Sequence, residues 1–462
     1  MPCSMDNSGT EISNLNSSGK DSSRNRPNSA QTGAQASTLA GTMTEAGAVP
    51  AEFLAYQDVW ERVNPQEYDA SSRLKFSAVS SRYPEAPANT IAMWIADMDT
   101  KPLPEISAYI AEHVQRAYGY QDSDIGKAVH GWFEAQRSFV DSNTVDPCSV
   151  VGVASVISAV DVALKTFCIS GDEVMVLAPT YGPLVDCINN NSLKVHAVHT
   201  NRDENGDDTI DFSSLSKNAT AFVLCHPNNP TGQVLPASCQ SELIRFCNEN
   251  GILIITDEIH SEFGFLSNDK PLPITLFGSH CDAVAQKGII HISGVSKAFN
   301  LAAIPGASFA IIEDAELRAK FSTAIASRHL EASYLSQVAL KAAYSLGHNW
   351  LDNIRKALGL NRKLVHFYFK QQNVSCEYTM GKAGYFLWLN LWKTATCADK
   401  KVSSSALSRK GIFNPASTFD SCVSRGVIGS DGNQFNAPGW IRLNLACDPI
   451  QIVNALNRLF FR

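Results

Sequence analysis

Short, almost continuously apolar segments alternate with stretches of helical periodicity through the middle of the chain. The apolar segments are 173–177, 221–225, 252–255 and 288–292. Segments this short and this uniformly apolar are typical of strands that helices cover on both faces, as in a mainly parallel sheet. A helical pattern over 238–250, which ends before Gly251, separates two of them. The pattern predicts an α/β fold in which helices sandwich a mainly parallel sheet.

Helical periodicity continues on both sides of these strands. Further helices are predicted over 105–118, 124–139, 155–167 and 350–371, with a long helical stretch from Ala315 towards Leu346. Strands near 386–391 and 441–445, with a closing helix from Pro449, predict a smaller α+β domain at the C-terminal end. The predicted division is a tail (1–50), a segment that belongs to the small domain (51–103), a large domain (104–345) and the small domain (346–462).

The first 50 residues differ from the rest in composition. They contain no Phe, Tyr or Trp and are rich in Ser, Thr, Asn, Gly and Ala. Such a segment cannot bury enough apolar area to offset the entropy of ordering it, so a disordered tail is expected. It lacks the apolar stretch of a secretory signal, and its acidic residues roughly match its basic ones, unlike those of a mitochondrial transit peptide. A cytoplasmic protein is therefore expected.

Composition and charge exclude several classes of function. The net charge of −7 gives no basic excess for a nucleic-acid surface, so no nucleic-acid partner is expected. No apolar stretch approaches the length that crosses a membrane. The 12 cysteines are scattered, without the spacing of a zinc site, so no metal is expected either.

Polar residues follow three of the predicted strands, at the point where each strand ends. Asn229 comes after segment 221–225, Asp257 after 252–255 and Lys297 after 288–292. Ligands of open α/β sheets bind outside the carboxyl ends of the strands, so we expect these three side chains to meet there. Each residue alone also has an ordinary structural explanation: a turn asparagine, a helix-capping acid and a surface lysine.

The three residue types are those that pyridoxal phosphate needs. The cofactor requires a lysine for its Schiff base, a carboxylate at its pyridinium nitrogen and a donor at its phenolic oxygen. Arg442, in a predicted strand of the small domain, adds a guanidinium that can hold the carboxylate of an amino-acid substrate; a structural salt bridge is the alternative. The sequence therefore predicts a pyridoxal-phosphate enzyme that acts on a small amino-acid or thioether substrate.

Five motifs extend this prediction to a family. They are Met93–Asp99 (MWIADMD), Tyr118–Tyr120 (YGY), Asn229–Gly232 (NPTG), Asp257–His260 (DEIH) and Ser296–Asn300 (SKAFN). From about residue 56 to its end, the chain resembles the fold-type I pyridoxal-phosphate enzymes of the aspartate aminotransferase superfamily (class I/II). Within them it is most similar to the cystathionine β-lyase, or C–S lyase, branch typified by MalY and PatB. The resemblance implies the pyridoxal-phosphate-dependent transferase-like fold.

The resemblance also implies roles around the cofactor phosphate. Ala154, Ser155 and Val156 match the phosphate-binding turn before a helix, although Ser155 can equally be a simple helix cap. Ser296 is the expected second hydroxyl on the phosphate. The arginine that many aminotransferases carry eight residues beyond the lysine is replaced by Pro305, as in the β-lyase branch.

Other positions carry implied roles at the ring, at the substrate and between subunits. Tyr181 is expected to stack on the cofactor ring, with a core aromatic as the alternative. Tyr120 is expected to reach the phosphate of a second subunit, which implies a homodimer with a shared active site; a packed tyrosine is the alternative. Ala96 is an expected substrate contact. Its neighbours Asp97 and Asp99 line the substrate entrance in the family, and the sequence gives neither a chemical role.

The choice of reaction depends mainly on His260. Ordinary aminotransferases of the superfamily carry a tyrosine at this position, and the β-lyase branch carries histidine. His260 is expected near the cofactor, although simple packing explains a histidine there equally well. The leading hypothesis is a C–S β-lyase that cleaves cysteine S-conjugates or cystathionine-like thioethers to thiol, pyruvate and ammonia, in sulfur secondary metabolism. An aminotransferase, or an enzyme like aminocyclopropane-carboxylate synthase, is the first alternative, and a non-catalytic scaffold is the second.

Overall fold

The computed structural model describes residues 49–121, 124–136, 145–202, 208–272, 276–281, 287–395 and 417–461. Ala48–Arg462 forms one compact unit. All but the last two residues of the predicted tail, and residues 137–139 of one predicted helix, lie outside the described residues. The predicted domain boundaries stay predictions.

Twelve α-helices lie in the described part of the chain. They are α1 (Leu74–Ser77), α2 (Val79–Arg82), α3 (Pro104–Arg116), α4 (Gly126–Gln136), α5 (Val156–Phe167), α6 (Gly182–Asn190), α7 (Ala237–Glu249), α8 (Ala315–Ala326), α9 (Tyr334–Leu346), α10 (His348–Gln371), α11 (Thr418–Ser424) and α12 (Pro449–Phe461). Short 3-10 helices add Ala51–Leu54, Gln57–Val59, Pro65–Ala70, Pro147–Ser149, Phe212–Ser214 and Gly432–Phe435. None of the α-helices described is both long enough and apolar enough to cross a membrane.

Sixteen strands are described. They are β1 (Ile91–Ala92), β2 (Val150–Val153), β3 (Glu173–Ala178), β4 (Lys194–Arg202), β5 (Asp208–Ile210), β6 (Ala221–Cys225), β7 (Leu253–Asp257), β8 (Gly264–Phe265), β9 (Pro271–Leu272), β10 (Ile289–Gly294), β11 (Ser308–Ile311), β12 (Ser375–Thr379), β13 (Phe386–Ala395), β14 (Val427–Ile428), β15 (Ser430–Asp431) and β16 (Trp440–Asn444). Eight of them form the central sheet, in the order β2-β11-β10-β7-β6-β3-β4-β5.

The central sheet is mainly parallel, as the apolar segments predict. Strands β10, β7, β6, β3 and β4 run parallel, and β11 and β5 pair antiparallel with their neighbours. Side chains of β3 alternate between two cores: Val174 and Val176 pack with α5, whereas Met175 and Leu177 pack with α7. Because helices cover both faces, strands β3, β6 and β7 consist mainly of apolar residues. The predicted α/β fold class is confirmed.

A second, smaller sheet carries the C-terminal part of the chain. Strands β12, β13, β16 and β15 form it, and all its pairings are antiparallel. Strand β1, from the N-terminal segment, pairs with β14 beside it, so residues more than 300 positions apart in the chain meet there. This places β16, which contains Arg442, next to the segment that follows β1.

The prediction of one long helical stretch from Ala315 to Leu346 is wrong, because α8 and α9 are separate helices. His329 adopts a left-handed backbone conformation with φ of 54°, which a continuous helix cannot contain. Ser333 then starts α9 by accepting a hydrogen bond at its hydroxyl from the Ser336 amide. The helical periodicity did not indicate this break, because no glycine or proline marks it in the sequence.

Candidate active site

The three residues expected at the carboxyl ends of parallel strands do meet there. Asn229 follows β6, Asp257 is the last residue of β7, and Lys297 lies three residues beyond β10. Arg442 approaches from β16, and its Nη1 donates a hydrogen bond of 2.7 Å to Asn229 Oδ1. Because Oδ1 is occupied, the Asn229 amide has its Nδ2 group left as the donor.

Asp257 is a buried carboxylate at the base of this site. Only 3% of the residue is exposed, and its Oδ1 accepts a hydrogen bond of 3.2 Å from the Ile259 amide. Burial raises the pKa of Asp257 to about 6, and the nearby positive charge of Lys297 acts in the opposite direction. A cationic partner, such as a protonated ring nitrogen, would stabilise the charged form of this buried acid.

Lys297 holds its amine against the backbone of the N-terminal segment. Its Nζ donates a hydrogen bond of 2.9 Å to the carbonyl oxygen of Ala96. Burial lowers the pKa of Lys297, and the charge of Arg442 lowers it further. A lysine with a lowered pKa is more often neutral, and only the neutral amine can act as a nucleophile or a base.

Arg442 is a buried cation without a carboxylate partner. Its Nη2 donates to the carbonyl oxygen of Trp94 at 2.9 Å and to Ser430 Oγ at 2.8 Å, and no described carboxylate pairs with it. The Nε atom is buried without a hydrogen-bond partner. Burial lowers the pKa of Arg442 to about 10. The structural salt bridge considered from the sequence is absent from the described residues, so the buried guanidinium has no counter-anion among them.

The guanidinium of Arg442 also packs between aromatic rings. Its carbon lies 4.3 Å from the ring centre of Phe386 and 5.2 Å from that of Phe435. Both contacts are within cation–π range, and they fix the plane of the guanidinium. The guanidinium is therefore held in one orientation.

His260 lies beside these groups, in an aromatic environment. Its ring makes edge contacts with Tyr385 and Phe386, at centre distances of 5.6 and 5.1 Å. Nδ1 is buried without a hydrogen-bond partner. Burial lowers the pKa of His260 well below its ordinary value, and the charges of Lys297 and Arg442 lower it further. The imidazole is therefore neutral at neutral pH, and both packing and a place at the site are observed.

The predicted phosphate turn lies at the start of α5. The Ser155 hydroxyl accepts a hydrogen bond of 3.0 Å from the Ser158 amide, so its helix-capping role is observed. The Ala154 amide donates to the carbonyl oxygen of Leu330 at 2.7 Å. Val156 opens the helix, and its amide has no acceptor within the helix. Ser296 is half-buried next to Lys297. The phosphate contacts of these residues stay predictions.

The two predicted aromatic contacts differ in their surroundings. Tyr181 precedes α6 and is half-buried, and its pKa is raised by burial and then by the charge of Asp257. Its stacking on a cofactor ring stays a prediction. Tyr120 is fully exposed, so it neither packs within the chain nor reaches the site of its own chain. Its role at a second subunit stays a prediction.

Sequence reasoning missed the charged cluster behind the site, which consists of Arg73, Lys75, Asp97 and Asp99. Lys75 is completely buried, and its Nζ lies 2.8 Å from Asp99 Oδ1. Arg73 Nη2 lies 2.8 Å from Asp99 Oδ1 and 3.1 Å from Asp97 Oδ1. The cluster anchors the N-terminal segment to the segment that contains Ala96. No motif indicated it, because its positive members lie at the start of the short helix α1, which has no periodic signal.

Two buried acids beyond Asp257 were also missed. Glu258 accepts from the Thr256 hydroxyl and pairs with His291 Nδ1, both at 2.7 Å. Glu262 binds Arg355 and the indole of Trp132, and burial raises its pKa to about 7. Both acids stabilise the turn between β7 and β8, which contains His260. Among the described residues, no cluster of three or more His, Cys, Asp or Glu side chains could hold a metal ion.

Comparisons with known proteins agree with this geometry. The chain is similar to the cystathionine β-lyase PatB of Bacillus subtilis, with 28% identity over 382 residues that span 80% of this chain and 92% of PatB. It is also similar to the protein MalY of Escherichia coli, with 24% identity over 78% of this chain and 88% of MalY. These matches confirm the resemblance to the β-lyase branch.

Solved structures and family models extend the comparison to the fold. Cystalysin of Treponema denticola, whose crystal structure contains pyridoxal 5′-phosphate, superposes with a TM-score of 0.70 at 23% identity, over 84% of this chain and 95% of cystalysin. The family model described as aminotransferase class I and II matches residues 105–459, which include Asn229, Asp257, Lys297 and Arg442. The chain therefore belongs to the aminotransferase class I and II family.

Proposed function

We propose that the protein is a pyridoxal-phosphate-dependent C–S β-lyase that cleaves cysteine S-conjugates or cystathionine-like thioethers to thiol, pyruvate and ammonia. One observation carries the proposal. The buried guanidinium of Arg442, which has no carboxylate partner among the described residues, and the amine of Lys297 bind carbonyls of the same short segment, those of Trp94 and Ala96. A site for the carboxylate of an amino acid thus lies beside a base for its α-proton.

Pyridoxal phosphate is the cofactor of this family, and the residues present fit it. The amine of Lys297 would hold the cofactor aldehyde, Asp257 the ring nitrogen and Asn229 the phenolic oxygen. The first amides of α5 would hold the phosphate. The fit rests on buried polar groups that lack partners, namely His260 Nδ1 and Arg442 Nε, and on the raised pKa of Asp257. When bound, the cofactor supplies an electron sink for the substrate α-carbon.

The side chains have distinct roles in the proposed reaction. The guanidinium of Arg442 binds the substrate carboxylate. Phe386 fixes the plane of the guanidinium, and Asn229 accepts a hydrogen bond from its Nη1. Lys297, whose pKa is lowered by burial, takes the α-proton in its neutral form. Loss of that proton allows a thiolate on the β-carbon to leave. The remaining three-carbon unit hydrolyses to pyruvate and ammonia.

His260 supports the lyase over the aminotransferase, because the β-lyase branch carries histidine where ordinary aminotransferases carry tyrosine. Its ring is neutral and buried between Tyr385 and Phe386, so it does not add a charge beside the cofactor. The relatives that carry the name cystathionine β-lyase support the same choice. The description of the family favours an aminotransferase as the second candidate. A non-catalytic scaffold is disfavoured, because it would not need both the reactive lysine and an Arg442 without a described carboxylate partner.

A matched pair of substrates tests this proposal. We expect purified holoenzyme to release thiol from an S-alkyl cysteine without any added 2-oxo acid. The analogue in which CH₂ replaces the sulfur should give no turnover under the same conditions, because its β-carbon carries no leaving group. Thiol is measured by a colorimetric reagent and pyruvate by a coupled dehydrogenase. Turnover of both compounds that depends on an added 2-oxo acid would establish the aminotransferase instead.

We further propose a homodimer whose two active sites are shared, in which Tyr120 completes the site of the partner subunit. Exposed aromatic side chains support it: Tyr118 and Tyr120, next to the end of α3, are 90% and 110% exposed in the single chain. Rings this exposed favour burial against a second copy.

Mixing two inactive variants tests the shared site. Lys297→Ala and Tyr120→Phe homodimers are each expected to have low activity. Co-expression should restore about a quarter of the wild-type activity, since half the dimers are mixed and one site in each is intact. Activity that stays at the level of the separate variants would contradict the shared site. A molar mass of one chain by light scattering would contradict the dimer.

A further inference from the structure

The segment Trp94–Met98 presents five successive backbone carbonyls to side-chain donors. The donors are Arg442 and Ser430 at Trp94, Asn444 at Ile95 and at Asp97, Lys297 and Tyr385 at Ala96, and Asn300 and Arg73 at Met98. Extended segments of this kind usually bond to backbone or water. Here side chains from β15, β16, the turn after β10 and the positions just before α1 and β13 hold the segment, so the position of each carbonyl is set by several distant parts of the chain.

The carbonyl of Ala96 differs from the other four. Lys297 Nζ donates to it at 2.9 Å, and the hydroxyl of Tyr385 donates to it at 3.2 Å. The amine of Lys297 is the reactive group of the site and leaves this carbonyl whenever it reacts. Tyr385 is the donor that remains.

The hydroxyl of Tyr385 is suited to act as a permanent hydrogen-bond donor. It is completely buried, and its ring makes edge contacts with His260 and Phe263 at 5.6 and 5.1 Å. Burial raises the pKa of its hydroxyl far above the ordinary value. The hydroxyl therefore keeps its proton at any working pH and can only donate to the carbonyl or lose the bond.

We propose that Tyr385 is a positioning residue for the reactive amine. Its hydroxyl fixes the Ala96 carbonyl, so that the released amine of Lys297 returns to one acceptor and directs its lone pair at the substrate α-carbon. The role rests on the proposed function, because it requires Lys297 to be the base. An amine that donates one N–H to a fixed oxygen has few orientations left, and small errors in orientation slow a proton transfer strongly.

Tyr385→Phe removes only the hydroxyl, and Tyr368→Phe is the matched control. Tyr368 is also buried, and its hydroxyl donates to Asn457 Oδ1 at 2.6 Å, between α10 and α12. The first measurement uses cofactor-free protein. The rate of reductive methylation of Lys297, followed by peptide mass spectrometry, should rise about threefold to tenfold in Tyr385→Phe. It should not change in Tyr368→Phe. The rate rises because the loosened carbonyl no longer holds the amine.

The second measurement uses the holoenzyme and L-alanine in deuterated water. L-Alanine has no β-leaving group, so exchange of its α-hydrogen reports proton removal whether the enzyme is a lyase or an aminotransferase. In Tyr385→Phe the kcat for exchange should fall about tenfold while KM is unchanged, since Arg442 and Asn229 are untouched. Tyr368→Phe should keep both constants.

The outcomes separate this role from the proposed function. Unchanged methylation and unchanged exchange in Tyr385→Phe would overturn the positioning role alone. A raised KM together with a lowered melting temperature would also overturn it, because that pattern shows a packing role. Wild-type exchange without thiol release from an S-alkyl cysteine would refute the lyase and leave the role of Tyr385 to be decided by the two measurements. Absence of exchange in the wild type would overturn both.

Discussion

Replacing Lys297 by alanine is expected to lower kcat by about 10³-fold or more, with the fold intact. The expected loss is large because, in the proposed mechanism, one amine both holds the cofactor and moves the α-proton. Lys297 makes one side-chain hydrogen bond, to Ala96, and burial already lowers its pKa, so folding depends little on its charge. Thiol release measures the loss, and the melting temperature measures the fold. The absorbance of the bound cofactor in the near-visible range should also disappear or shift.

Lys320→Ala is the control for this variant. Lys320 is an exposed lysine that pairs with Glu316 on α8. Its replacement should leave both thiol release and cofactor absorbance unchanged. A Lys297→Ala protein that keeps more than about a tenth of the wild-type kcat would show that another group is the base.

Replacing Arg442 by methionine is expected to lower kcat/KM for an amino-acid substrate by about 10²–10³-fold, mainly through KM. The guanidinium is buried, is oriented by Phe386 and Phe435, and has no described carboxylate partner. A substrate carboxylate would supply the missing anion. Methionine fills a similar volume between the rings but cannot donate, so the variant separates the charge from the packing.

Comparison of a substrate with its methyl ester identifies the group that Arg442 binds. The wild type should turn over the ester about 10²-fold less efficiently than the acid, whereas Arg442→Met should treat both alike. Arg245→Met is the control, because Arg245 is exposed and pairs with Glu249 on α7. If Arg442→Met still favours the acid as strongly as the wild type does, Arg442 is not the carboxylate site.

Most of the site could be predicted because strand ends are visible in the sequence. Asn229, Asp257 and Lys297 each follow an apolar segment, and parallel strands bring such positions to one edge. The structure confirms that they meet there. Arg442 required a further assumption, that a strand of the small domain faces this edge, and its hydrogen bond to Asn229 shows that it does.

What could not be predicted lies in contacts between distant segments without a periodic pattern. The bond from Tyr385 to the Ala96 carbonyl joins residues 289 positions apart, and neither position has a motif that indicates the other. The buried pair of Lys75 and Asp99 is similar: from the sequence, Lys75 is an ordinary charged residue expected at the surface. Such pairs depend on how β1 and β13 are placed, and that placement is a property of the whole fold.

The most direct test of the central claim is the product balance for one cysteine S-conjugate labelled with ¹³C in its three-carbon unit. Holoenzyme without added 2-oxo acid is incubated with the substrate and followed by NMR, together with assays of thiol and ammonia. We predict one thiol, one labelled pyruvate and one ammonia for each substrate consumed. A labelled 2-oxo acid that keeps its sulfur substituent, formed only when an amino acceptor is added, would contradict the lyase.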